Sequence, residues 1–178
     1  LGLFEHAADS ERLAGSVDDN GGVYFVPALT GLGAPHWDPH ARGAIFGITR
    51  GTTSAHLTRA ALESICFQVD EVLQLLSAES GTPIVQLRID GGASANNMLA
   101  QFQADISAVD VVRPANLETT ALGAAYLAGI AIGLWTIDEL NQKWRIDRSF
   151  HETMPPLEVE LLKRHWLKAV ERAKDWAE

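Results

Sequence analysis

With 178 residues, 47% of them hydrophobic, the chain can fill one packed domain but not two large ones, and its composition is not that of a disordered chain. A net charge of −9 argues against a nucleic acid or an anionic membrane as partner, because both would repel it. Cys66 is the single cysteine, which excludes an internal disulfide and fits a reducing compartment.

The chain opens Leu1-Gly2-Leu3 without an initiator methionine. It reads as a piece of a longer protein, with 1–13 as the end of a helix and 1–21 as the tail of an upstream region and linker. The domain proper is expected over 22–178. No secretory signal and no long uncharged apolar run is visible. The expectation is a soluble, cytoplasmic chain.

Asp18-Asp19-Asn20-Gly21-Gly22 is a turn signal, and "VYFVPAL" after it reads as a buried strand. "TGLGAPHWDPHARG" (30–43) is a long structured loop, packed around Trp37, with Asp38 and Arg42 as a candidate pair. "AIFGITR" (44–50) is a second strand. The two lie close in sequence, so antiparallel pairing is expected.

A long helix follows, capped by Thr53 or Ser54. Leu57, Ala61, Ile65, Val69, Val72 and Leu76 recur every three or four positions, which predicts one apolar stripe facing a sheet. Cys66 lies in the same pattern and reads as a core residue. Gly81 and Pro83 end the helix. "IVQLRI" is the next strand, and it runs into "DGGASANN". A second helix begins at Asn96 or Asn97 and turns Leu99, Phe102 and Ile106 inward. "DVVRP" is a short strand.

Glu118-Thr119-Thr120 is a capping pattern before a third helix, 119–133, whose glycines and alanines predict close approach to a sheet or a ligand. "TIDEL" caps a fourth helix. Residues 144–150 read as a polar connection. Pro155-Pro156 opens a last helix, with Leu162, Trp166, Ala169, Val170, Ala173 and Trp176 as its apolar face. The order predicts a mixed α/β domain compatible with a ribonuclease-H-like fold.

Three constellations invite chemistry. The first is the turn after "IVQLRI". Ligands of open α/β sheets bind beyond the carboxyl ends of strands, where Gly91 and Gly92 sit if this strand is central. Without Cβ atoms they let a ligand press on the backbone and permit positive φ. The helix from Asn96 offers N–H groups suited to phosphate. Asn96 adds an amide, and Asp90 is placed to hold the turn. A plain βα turn with an asparagine cap is the commoner reading of such residues taken alone. The second is His36-x-Asp38-x-His40, three potential zinc ligands in five residues. No further Cys or His cluster completes a site, and no metal ligand is assigned. The third is nucleophilic catalysis, but the G-x-S-x-G elbow is missing.

Taken together, "GAIFGITRGTTSAHLTRAALES" (43–64), "TGLGAPHWDPHARG", "DGGASANNMLAQFQADI" and "ETTALGAAYLAG" resemble the FGGY family of carbohydrate kinases, over 22–177. The resemblance implies the C-terminal half of a two-domain enzyme of the actin, Hsp70 and hexokinase superfamily, with ATP in the cleft. It implies Mg2+ with ATP, and glycerol as the acceptor through an N-terminal domain that this sequence does not contain. Another FGGY sugar or polyol kinase, such as a xylulose kinase, or a non-enzymatic actin-like nucleotide-binding module, are the alternatives. Carried over by position, Gly92 and Asn96 match nucleotide-contacting residues, and Gly91 and Ala93 form the adjoining backbone. The small-sided helix would be the family's connecting helix near the domain junction. No catalytic residue is assigned here, because the family's catalytic Asp belongs to an upstream motif. The intact enzyme is expected to be a homo-oligomer.

Overall fold

The computed structural model describes residues 2–178. It contains α1 (Asp9–Ala14), β1 (Tyr24–Val26), β2 (Ala44–Phe46), α2 (Ser54–Ser80), β3 (Gln86–Arg88), a 3-10 turn (Gly92–Ala95) and α3 (Asn97–Ser107). Then come β4 (Asp110–Pro114), α4 (Thr119–Ala131), α5 (Ile137–Lys143), β5 (Ile146–Phe150) and α6 (Pro156–Ala173). Of the helix end expected over 1–13, only Asp9–Ala14 is helical, as α1, and 2–8 are turns, bends and irregular chain; Leu1 lies outside the described residues. No helix among the described residues is long and apolar enough to cross a membrane.

β1 and β2 pair antiparallel, as expected, with Phe25 opposite Ile45. Gly47 follows β2 so closely against Gly22 that a Cβ there would overlap the Gly22 carbonyl oxygen, and its φ is +83°. Only glycine fits both demands. A second sheet runs β3-β4-β5. β3 and β4 are parallel with α3 as the crossover. β3 is therefore an edge strand and β4 the central one, so the condition that "IVQLRI" be central is not met. Residues 146–150, expected as part of a polar connection, form β5, antiparallel to β4 with Val111 opposite Phe150. Its side chains are exposed except for Phe150. Pairing to β4 decided this strand, and no apolar alternation marked it.

Helix α2 is the axis of the core. Thr53 at its start gives its N–H to His56 Nδ1 at 3.1 Å, and Gly81 ends it with a left-handed φ of 65°. The buried face is not the expected stripe. Ile65, Val72 and Leu76 are exposed. Ala60, Glu63, Cys66, Phe67, Asp70 and Leu73 face inward instead. Phe67 stacks on Trp166 of α6 with ring centroids 5.1 Å apart, and meets Phe102 of α3 edge-on at 5.5 Å. Leu99, Phe102 and Ile106 are buried as expected, and so is Cys66, whose thiol burial pushes up.

The polar residues on the inner face of α2 are tied. Glu63 accepts from Asn20 Nδ2 at 2.7 Å and from Arg59 Nε at 2.9 Å. Asp70 accepts from Lys163 of α6 at 2.7 Å. Burial raises both carboxyls above their ordinary range, against the pull of these partners. Asp105 of α3 takes the N–H groups of Thr153 and Met154 at 2.6 and 3.1 Å, which fixes the entry to α6. A buried polar group needs such partners, because an unmade bond costs more than a made one gains.

Three further expectations change. Trp37 is 75% exposed, so the 30–43 loop is not packed around it. Asp38 organises that loop by accepting from the N–H groups of His40 and Asp175 at 2.8 and 2.9 Å. Arg42 donates to the Pro39 and Ala41 carbonyls and is not the partner of Asp38. Trp176 is exposed, beyond the end of α6.

Candidate functional site

β3 delivers the chain to Gly91, whose φ of +77° turns it sharply. Gly91 N–H donates to the Leu117 carbonyl at 2.9 Å. Gly92 through Ala95 then make one 3-10 turn, and Asn96 caps α3 by accepting the Leu99 N–H at 2.9 Å. The cap expected at Asn96 or Asn97 is thus at Asn96. Positive φ belongs to Gly91 and not to Gly92. A Cβ at either glycine meets nothing within 4 Å, so Gly92 differs in needing no positive φ and in lining open space.

That open side is a cavity of about 620 Å³. Gly92, Ala93 and Asn96 line one wall, Ala61 and Ile65 of α2 a second, and Leu3, Phe4 and Glu11 the third. Three of the four residues assigned from the sequence thus share one cavity wall. Gly91 is the hinge beside them.

Two expectations about this turn are corrected. Asp90 does not hold it. Ser94 does, through its N–H and Oγ to the Gly91 carbonyl at 3.1 and 2.7 Å. Arg113 of β4 holds it too, by donating to the Ser94 and Ala95 carbonyls at 2.9 and 3.1 Å. The start of α3 is also poorly suited to phosphate. Glu11 Oε1 accepts from the Asn97 N–H at 3.1 Å, and Asn96 holds that of Leu99. A carboxylate already sits where an anion would dock, and a second anion would be repelled. Asn96 Oδ1 is spent on the cap, so its amide nitrogen is the group left to donate.

Glu11, Ser94, Arg113 and Asp147 were not singled out from the sequence. Arg113 had a visible signal, a charge inside the apolar run "DVVRP". Asp147, which accepts from Arg113 Nε at 2.8 Å, had none, because it is placed there by the pairing of β5 with β4.

The remaining candidates disperse. His36 Nε2 pairs with Glu71 at 2.9 Å, and Asp38 is taken by backbone amides. Among the described residues no three His, Cys, Asp or Glu side chains gather as metal ligands. Glu118 makes no side-chain cap at α4. α4 is mostly exposed. Its close approach is confined to Gly129, where a Cβ would overlap the Trp135 ring. The glycine there serves a neighbouring aromatic, and neither the sheet nor the cavity.

A mixed α/β domain with a glycine turn at the end of a parallel strand defines a class with many functions, and comparison narrows it. Residues 3–132 match the model of the FGGY family of carbohydrate kinases, C-terminal domain. The chain belongs to that family, and its fold is the α/β fold of the actin and hexokinase superfamily. Over its whole length it is 59% identical to glycerol kinase of Parabacteroides distasonis and 55% to that of Paraburkholderia phytofirmans. It spans 36% of each of these relatives. A crystal structure of Plasmodium falciparum glycerol kinase with ADP superimposes with a TM-score of 0.86 at 35% identity, covering 96% of this chain and 34% of that one. A ligand-bound xylulose kinase from Lactobacillus acidophilus gives a TM-score of 0.75 at 27% identity, covering 96% and 35%.

Proposed function

We propose that this chain is the nucleotide-holding C-terminal domain of a glycerol kinase, and that the whole enzyme transfers the γ-phosphoryl group of ATP to glycerol to give sn-glycerol 3-phosphate. The observation that carries the reading is the open wall at Gly92. A Cβ at Gly92 would meet nothing in this chain, and Gly92 lines the cavity, so a ligand can press directly on its backbone. A flat adenosine on Gly92 and Ala93, with the Asn96 amide nitrogen donating to it, fits that open wall. Gly91 sets the turn. The phosphates run away from α3, whose start Glu11 has claimed.

Identity separates the acceptors. The match to glycerol kinases at 55–59% exceeds that to the xylulose kinase at 27%, which supports glycerol. Mg2+ in this proposal comes with the ATP phosphates and the upstream domain. A catalytic base for the glycerol hydroxyl belongs to that domain as well. We count α1 with this C-terminal domain rather than beginning it at residue 22, a division supported by the Glu11 contact to Asn97 and the family match from residue 3. A cytoplasmic homo-oligomer completes the reading.

Phosphoryl transfer depends on positioning and charge in a closed cleft, and one wall of a cleft supplies little of either. The test is glycerol-dependent formation of ADP in a coupled assay. The intact enzyme should turn over glycerol and the 178-residue chain should not. Turnover by the chain near that of the intact enzyme would overturn the division of labour. Preference of the intact enzyme for a pentulose would overturn the acceptor.

A further inference from the structure

The turn that carries Gly92 and Asn96 is short, and most of it has no helix to hold it. What fixes its height is a side chain from the neighbouring strand. Arg113 is 9% exposed. Its NH1 reaches both the Ser94 and Ala95 carbonyls, at 2.9 and 3.1 Å. Its Nε and NH2 both meet Asp147 Oδ2, at 2.8 and 2.7 Å. Its guanidinium also lies 5.5 Å from the centre of the Phe150 ring. Guanidinium is planar with donors in a fixed fork, so a group held on one edge presents the other edge in a set direction. Asp147 and Phe150 hold one side. The other side sets the two carbonyls immediately before Asn96.

We propose that Arg113 is a positioning residue for the nucleotide, oriented by Asp147, and that this pair sets the relative placement of Gly92 and Asn96. The inference rests on the reading of the cavity as the adenosine site. Asp147 lies on β5, so that strand takes part in nucleotide binding without touching the nucleotide. A lysine at 113 can reach one carbonyl but cannot make the fork.

The experiment uses the intact kinase and the variants Arg113→Met, Arg113→Lys, Asp147→Asn and Gly92→Val. Amide hydrogen exchange over 92–97 is measured without nucleotide, and Michaelis constants are measured for ATP and for glycerol. Arg113→Met should speed exchange across the turn and raise the ATP constant about tenfold, with kcat and the glycerol constant within about twofold. Arg113→Lys should recover part of the loss, and Asp147→Asn should lose part. Unchanged exchange in Arg113→Met overturns the positioning role. So does an unchanged ATP constant in Arg113→Met where Gly92→Val raises it. If neither variant moves the ATP constant, the adenosine reading itself has failed. If Arg113→Met does not fold, Asp147→Asn decides, and normal exchange with normal ATP kinetics in that variant overturns the proposal.

Discussion

Glu11 and Asn97 stand 86 positions apart, yet one carboxylate oxygen of Glu11 receives both the backbone N–H and the side-chain amide of Asn97, at 3.1 and 3.2 Å. This single contact joins α1 to the start of α3 and neutralises a helix end that would otherwise attract anions. Glu11→Ala should lower the thermal midpoint by an amount equivalent to about 1–2 kcal/mol, the usual size of a charged hydrogen bond. It should also leave the α3 start able to hold sulfate. Calorimetry with and without sulfate checks both effects, and equal sulfate response in parent and variant would remove the second.

Asn96 has two separable duties. Asn96→Ala loses the cap, at about 1 kcal/mol, and raises the ATP Michaelis constant. Asn96→Asp keeps an oxygen for the Leu99 N–H and loses the donor. Its thermal midpoint should stay near that of the parent while its ATP constant rises as much or more. If both variants behave alike in ATP kinetics and in stability, the two duties are not separate.

Gly91 and Gly92 should fail differently, although they are adjacent. Gly91→Ala forces a Cβ into φ 77°, ψ 173°, a region essentially reserved for glycine, and should cost about 1–3 kcal/mol of stability. Gly92→Val has open space and should leave the thermal midpoint nearly unchanged while raising the ATP constant about tenfold. Denaturation and steady-state kinetics on both variants check the contrast. A Gly92→Val protein with normal ATP kinetics counts against the floor.

The buried carboxyl of Glu63 has a pH signature. Burial raises it against Arg59 and Asn20, so the folded protein binds that proton more tightly than the unfolded chain does. The stability it contributes is full below the unfolded value, about pH 4, and is lost as pH rises through the raised folded value. Glu63→Gln cannot titrate. Its deficit in thermal midpoint relative to the parent should therefore shrink as pH rises above the unfolded value. A deficit that widens with pH would mean that Glu63 is held charged.

The elements that carried their own local chemistry were readable from sequence. Gly81 stops α2, Asn96 caps α3, and Thr136 with Glu139 caps α5, the Glu139 N–H reaching Thr136 Oγ1 at 3.3 Å. What depended on distant partners was not. Ile65, Val72 and Leu76 have helical spacing, but Phe67 and Cys66 occupy the inward face because Trp166 and Phe102 converge there. β5 has little apolar content and exists because β4 offers it an edge. The site divides in the same way. Gly92 and Asn96 were visible as a turn and a cap, whereas Glu11 and Arg113 reach that turn and its helix from other elements, and Asp147 acts on it through Arg113.

Gly47 and Gly92 can serve as paired reporters. At Gly47 any added carbon must push the chain off Gly22, so a survey of all substitutions should find every one depleted from the soluble fraction. At Gly92, if the cavity takes adenosine as proposed, the same survey should find variants that accumulate normally yet bind ATP more weakly. Two residues of the same type thus distinguish, in a single screen, loss of the folded protein from loss of its work.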